Sequence, residues 1–335
     1  MAVDFVYADC AATAPMLGFD WSSSDYRYAN PNSTHKLGRI AREDLEYARS
    51  VIAECINAKP EQIAFTPSAT SACHTAVSYL NITDCSPYEH KSVWEPVEWD
   101  RLFVCGDDRS TAHILASNET GERFDSKVRA LAKEKVVFTD ATAAVGQITV
   151  NVQWLGVAAL AAGAHKFGGP PGIGFLYLRE GITDESAYPG TPPVALAVAM
   201  ATALKYRMNH MIEANVYLME QTDRLAESLL EIPGCHINTP MNKRLPNILS
   251  VRFDGVDARE LLTMLDISGV YASAGAACNS HSDEPSAVLL ASALTEEQAR
   301  QTIRLSFCPE TSEEDFRFVA EAVSRCVSNF RNLTK

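Results

Sequence analysis

The chain has 335 residues, 47% of them hydrophobic and 21% charged, with 29 Lys+Arg against 42 Asp+Glu and a formal net charge of −13. This is an ordinary globular composition with length enough for about two domains. The acidic balance, without a basic run, argues against nucleic acid or an anionic membrane as the main partner. No apolar run reaches the 18 or so residues of a membrane span.

The N-terminal "MAVDFVYADCAATAP" carries Asp4 early and has no basic leader, so it is not expected to be a signal peptide. The nine cysteines are scattered, odd in number and free of any C-x-x-C pair. They suggest reduced thiols in a cytoplasmic protein, with no metal site.

In chain order, residues 37–56 have helical periodicity, with Leu37, Ile40, Ala41, Leu45, Ala48, Val51, Ile52 and Ile56 on or near one face. A short strand at Ile63–Phe65 leads through a Ser/Thr/Pro turn into a helix opening near Thr70. Strands are expected at 101–106, 112–117, 135–140, 157–164 and 172–179, then a long helical region over 192–232. Later strands are expected at 245–254, 269–275 and 302–307, with helices at "ARELLTMLDISG", "EPSAVLLASA" and "SEEDFRFVAEAVSRCVSNFR". Alternating strands and helices predict an α/β layout with a mostly parallel sheet.

Several polar residues stand just past apolar strands: Asp140 ends "VVFTD", Asn118 follows "HILAS", and His165 and Lys166 follow "AALAAGA". Carboxyl ends of strands are where α/β sheets bind ligands. Each alone reads as a turn, a cap or a solvent-facing side chain. Their order along the chain is what points to function.

"YADCAATAP", "NPNSTHKLGRIAREDLEYAR", "FTPSAT", "EHKSV", "NETG", "DATAAVG", "AHKFGGPPGIG", "GT" at 190–191, "ASAGAACNSHSDEPS" and "IRLS" follow one another along almost the whole sequence. In that order they resemble the cysteine desulfurases of the class-V aminotransferases, within the fold type I pyridoxal-phosphate enzymes. The resemblance implies a large cofactor-binding domain over 12–222, with a smaller α/β domain from 1–11 and 223–335. It also implies a homodimer and pyridoxal 5′-phosphate as cofactor.

By the same resemblance, Lys166 matches the Schiff-base lysine, whose amine must be partly desolvated to be nucleophilic near neutral pH. Asp140 matches the aspartate at the pyridine nitrogen and His90 the histidine stacked on the ring. Asn118 matches the asparagine near the phenolic oxygen. Ala69, Thr70 and His165 match phosphate contacts, the first two at a helix start that favours an anion. Thr191 matches a phosphate contact from the neighbouring subunit. Arg304 matches the arginine for the substrate α-carboxylate, a pairing that guanidinium geometry favours. Cys278 falls where desulfurases carry the nucleophile, and Glu-Pro-Ser at 284–286 suits their long-loop group.

Ala143 stands where the family usually has glutamine, Gly163 where it has serine, and Ser68 where it has glycine. The arginine usual before Ser-Gly-Thr is missing from "YPGT". The His90–Asn118 segment is short against the family. The expected reaction converts L-cysteine to L-alanine and leaves a persulfide on Cys278 for an acceptor protein, serving iron–sulfur clusters or tRNA thiolation. Selenocysteine lyase, C–S β-lyase and aminotransferase chemistry are the alternatives on the same cofactor, and a non-enzymatic scaffold is a third.

Overall fold

The computed structural model describes residues 5–18, 29–103, 109–181, 190–275 and 284–333, without the side chains of 99–103. These fall into two compact units. The first comprises 15–116 and 124–211; the second comprises 1–14, 117–123 and 212–335.

Strands β1 (Val6–Tyr7), β2 (Ile63–Thr66), β3 (Ser110–Ala112), β4 (Val136–Asp140), β5 (Ala159–Gly163), β6 (Gly174–Leu178), β7 (Cys235–Ile237), β8 (Ile248–Phe253), β9 (Val270–Tyr271) and β10 (Thr302–Ser306) follow in chain order. In the first unit five strands form a sheet in the order β2-β6-β5-β4-β3. The β3–β4 and β4–β5 pairs are parallel, whereas β6 is antiparallel to both neighbours. A parallel crossover takes a dozen or more residues. The glycine-rich link from β5 to β6 is shorter than that, so β6 turns back beside β5.

β2, β4, β5 and β6 are buried apart from Val136 and read as nearly continuous apolar runs, as strands covered on both faces do. The helix Ala69–Tyr79 buries Ala72, Cys73, Ala76 and Val77 in the same cluster as Phe138 and Leu176. The helix Lys36–Ile56 buries Ala41, Leu45, Ala48, Val51, Ile52 and Ile56, the apolar stripe expected from its 3.6-residue period.

In the second unit β10-β8-β7 form an antiparallel sheet and β1 pairs in parallel with β9. Its core joins Leu225, Leu229, Val251, Phe253, Leu261 and Val323. The helices Ala258–Ile267 and Glu313–Leu333 lie where their periodicity placed them, and Val194–Leu230 is one continuous helix.

Two expected strands are corrected. Residues 101–103, expected to begin a strand, end the helix Lys91–Phe103. Pro96 reads as a helix breaker, yet the helix runs through it with Val93 and Val97 buried one turn apart. The strand expected at 112–117 is confined to Ser110–Ala112. Beyond it, His113 and Leu115 still donate backbone N–H bonds to Phe138 and Asp140.

Of the seven described cysteines, Cys10, Cys73, Cys235, Cys308 and Cys326 are buried, and none is in a disulfide. Among the described residues no helix is long and apolar enough to cross a membrane.

Candidate active site

β4 and β5 run side by side in parallel, with Asp140 opposite Ala161. Asp140 is therefore the last residue of its strand, and Lys166 follows the end of the next one in a short 3-10 turn, Ala164–Lys166. That turn is closed by Ala164 accepting the backbone N–H groups of Phe167 and Gly169. Gly168 takes a left-handed conformation (φ +86°), available to glycine at little cost. A β-carbon built at Gly169 would stand 2.8 Å from that of Ala164, so the returning chain lies against the turn. Lys166 is half-buried, the mixed environment a reactive amine needs.

Asp140 is buried, and its Oδ1 accepts the Thr142 N–H at 2.8 Å. His90 feels the charges at both strand ends: Asp140 favours its protonation, while Lys166 disfavours it. Burial outweighs both and holds His90 below the usual histidine value. Its Nδ1 lies 2.8 Å from Ser92 Oγ and accepts the Ser92 N–H at 3.2 Å. An acceptor Nδ1 leaves the ring hydrogen on Nε2. His165 is pushed down to about 4 by burial and by adjacent Lys166, so it too is neutral near pH 7.

The start of the helix Ala69–Tyr79 meets this corner of the sheet. Ser68 is its N-cap, accepting the Ser71 N–H at 3.1 Å. That leaves the first-turn N–H groups, those of Ala69 and Thr70 among them, outside the intrahelical ladder. Gly163 and Gly174 form the bed beneath. A β-carbon at Gly174 would stand 2.8 Å from the Ser68 carbonyl carbon and 2.9 Å from the Ala69 nitrogen. One at Gly163 would stand 3.2 Å from the Ala69 β-carbon and 3.4 Å from His165 Cδ2. A serine there would need Ala69 to give way by a few tenths of an ångström. This corner combines a helix-start anion cradle, a lysine, a buried carboxylate and a neutral histidine, a donor set that fits a phosphorylated heteroaromatic aldehyde.

The first unit thus gathers Ala69, Thr70, His90, Asp140, His165 and Lys166. Thr191 belongs to the same unit but is exposed ahead of the helix Val194–Leu230. Ala143 is half-buried, one residue past Thr142.

Asn118 and Arg304 belong to the second unit. Arg304, in β10, is fully buried; its Nη2 donates to Asp9 Oδ1 at 2.5 Å and its Nη1 to the Asn118 carbonyl at 2.9 Å. Its Nε is buried without a hydrogen-bond partner. Cys278 lies outside the described residues.

Motif order did not single out four neighbours of these groups. Ser92 holds His90, Asp9 pairs with Arg304, Glu89 is buried beside Asp140, and Glu119 is buried next to Asn118. Each sits inside a quoted motif, and that position was the available signal.

Residues 6–97, 109–189 and 183–319 match the family model described as Aminotransferase class-V. "Cysteine desulfurase IscS" of Dictyoglomus turgidum is 32% identical over 378 residues, covering 98% of this chain and 96% of the relative. "IscS-like cysteine desulfurase" of Mycobacterium tuberculosis is 30% identical over 382 residues, covering 97% of each. Among solved structures, a NifS-like protein superposes with a TM-score of 0.85 at 25% identity, covering 97% of this chain and all of the other. The apo structure of a cysteine desulfurase from Thermococcus onnurineus NA1 shares the fold, with a TM-score of 0.81 at 20% identity over 97% of this chain and 95% of that one. With a family match over most of its length and such relatives along nearly all of it, the chain belongs to the class-V aminotransferase family.

Proposed function

We propose that the protein is a pyridoxal-phosphate-dependent cysteine desulfurase, converting L-cysteine to L-alanine and passing the sulfur to an acceptor protein. The observation that carries this reading is the pair of strand ends, with Asp140 closing β4, Lys166 following β5, and His90 within reach of both charges.

Residues 69, 70, 90, 140, 165 and 166 would hold the cofactor: Lys166 through Nζ, Asp140 at the ring nitrogen, His90 over the ring, and Ala69, Thr70 and His165 at the phosphate. Asn118 would reach the phenolic oxygen. Thr191 would complete the phosphate site of a second copy in a homodimer. When bound, the cofactor supplies an electron sink for the substrate's α-carbon.

Arg304 binds the substrate α-carboxylate. Lys166 Nζ takes the α-proton of the substrate. The Cys278 thiolate bonds to the substrate sulfur, and the substrate's C–S bond breaks with its electron pair left on the β-carbon. Protonation of the β-carbon, and return of the proton from Lys166 Nζ to the α-carbon, give L-alanine, and Cys278 retains the sulfur as a persulfide. The thiolate is the reactive form, so the Cys278 thiol must lose its proton before attack.

The test is incubation of cofactor-loaded protein with L-cysteine, following cofactor absorbance, alanine and protein persulfide. Cys278→Ala keeps the cofactor band and loses sulfur transfer. Lys166→Ala loses the covalent band. Pyruvate and ammonia in place of alanine would transfer the protein to β-elimination chemistry. Failure to take up the cofactor would remove the reading altogether.

A further inference from the structure

Glu119 is 3% exposed, in the turn between Ser117 and Glu122. Its Oε2 accepts the Ser286 hydroxyl at 2.5 Å. A β-carbon built at Gly275 would stand 2.6 Å from the same oxygen, so the chain at Gly275 lies directly against the Glu119 carboxyl. Gly275 has φ +71° and so suits glycine on conformational grounds as well. Gly275 and Ser286 flank the stretch that carries Cys278, and one buried oxygen meets both.

Both flanks are tied further into the same unit. Ser286 caps the helix Ala287–Ala291, accepting the Leu289 N–H at 3.3 Å. Two residues before Gly275, Ser273 bridges to Arg304, whose N–H donates to the Ser273 carbonyl at 2.6 Å. Arg304 Nη1 in turn donates to the carbonyl of Asn118, the residue before Glu119. The dipeptide Asn118-Glu119 therefore meets the carboxylate-binding arginine with its first residue and both roots of the cysteine-bearing segment with its second.

We infer that Glu119 is a positioning residue that fixes the two roots of the Cys278 segment in register with Arg304. Its consequence for catalysis rests on the desulfurase reading; the anchoring does not. A short root fixes where a tethered thiol can reach, so a loosened root lowers the fraction of time spent in attack geometry while leaving substrate capture through Arg304 in place.

The experiment is amide hydrogen exchange on the full chain, with and without cofactor, in peptides covering 271–275 and 284–290. The variants are Glu119→Gln, Glu119→Ala, Ser286→Ala and the double Glu119→Ala/Ser286→Ala. Glu119→Ala and Ser286→Ala should each speed exchange at these flanks about tenfold, with β7 and β8 unchanged. The two effects should fall short of adding in the double variant, because the contact is lost only once. The cycle also cancels the helix cap that Ser286→Ala removes in either background. Glu119→Gln keeps an acceptor oxygen and should restore most of the protection.

With L-cysteine, Glu119→Ala should lose about tenfold in kcat with KM within about twofold. Unchanged flank exchange in both single variants, or effects that add, would overturn the anchor. Should Glu119→Ala fail to fold, Ser286→Asp decides the same question: it keeps a capping oxygen but cannot donate to the Glu119 carboxylate, so unchanged flank exchange in it would overturn the anchor. Loosened flanks alongside undiminished sulfur transfer in Cys278→Ala would support the anchor while removing Cys278 as nucleophile, so the two readings fail separately.

Discussion

Arg304 and Asp9, 295 residues apart in sequence, form a 2.5 Å ion pair in which the arginine side chain is 1% exposed and the aspartate 17%. A buried guanidinium with one carboxylate partner depends on that partner, because removing it strands a charge out of water. Asp9→Ala should therefore destabilise the protein by about 3–5 kcal/mol, the usual cost of breaking a buried pair. Urea unfolding would measure it, and a loss under about 1 kcal/mol would show that the pair is not needed. Arg304→Lys should fold, because a cation remains beside Asp9. It replaces a planar fork with a point charge and should raise KM for L-cysteine about tenfold or more, with a smaller effect on kcat.

A second test uses Glu89, 4% exposed and adjacent to His90. Burial first, and the Asp140 carboxylate second, hold its carboxyl well above the usual range. The native protein therefore keeps a proton that the unfolded chain releases above its ordinary carboxylate value. Folding takes up that proton, so this group's contribution to stability falls as pH rises through the window between the unfolded and folded values. Glu89→Gln carries a permanent neutral equivalent and lacks this slope. It should equal wild type near pH 4 and become progressively more stable than wild type toward pH 8. A difference independent of pH would show that Glu89 ionises in the native state much as it does unfolded.

Asp140 and Lys166 were legible in the sequence because each follows an apolar run that becomes a strand, and strand ends are where a parallel sheet presents polar groups. The long helix and the cores of β8 and β10 were legible for the same reason, since their periodicity is local. Local pattern misled at 101–103, where an apolar stretch after Pro96 continues a helix. It also could not give β6 its direction, which depends on the length of the link from β5. The pairings within the second unit are not local. Asp9 with Arg304 and Glu119 with Ser286 join segments 295 and 167 residues apart, and no spacing rule links them. Motif order assigned Arg304 a role and left Asp9, Glu119 and Ser286 without one.

Gly174 tests whether the bed under the helix start is needed for the phosphate. It lies in β6, paired with Gly163 across the β5–β6 ladder and with Thr66 on the other side. An added β-carbon would stand 2.7 Å from the Ala162 carbonyl oxygen, 2.8 Å from the Ser68 carbonyl carbon and 2.9 Å from the Ala69 nitrogen. All three neighbours are backbone, so none can yield by a change of rotamer. Either β6 bows or the first turn of Ala69–Tyr79 lifts off the sheet. Overpacking of this kind costs about 1–3 kcal/mol. Lifting the turn also displaces the N–H groups proposed to hold the phosphate, so Gly174→Ala should weaken pyridoxal-phosphate binding about tenfold or more, read by fluorescence titration of the apoprotein. Pyridoxal, which lacks the phosphate, separates the two effects: its binding should change by less than about threefold. An equal loss for both ligands would place the damage at the strand ends of Asp140 and Lys166 and leave the helix start without a role in binding.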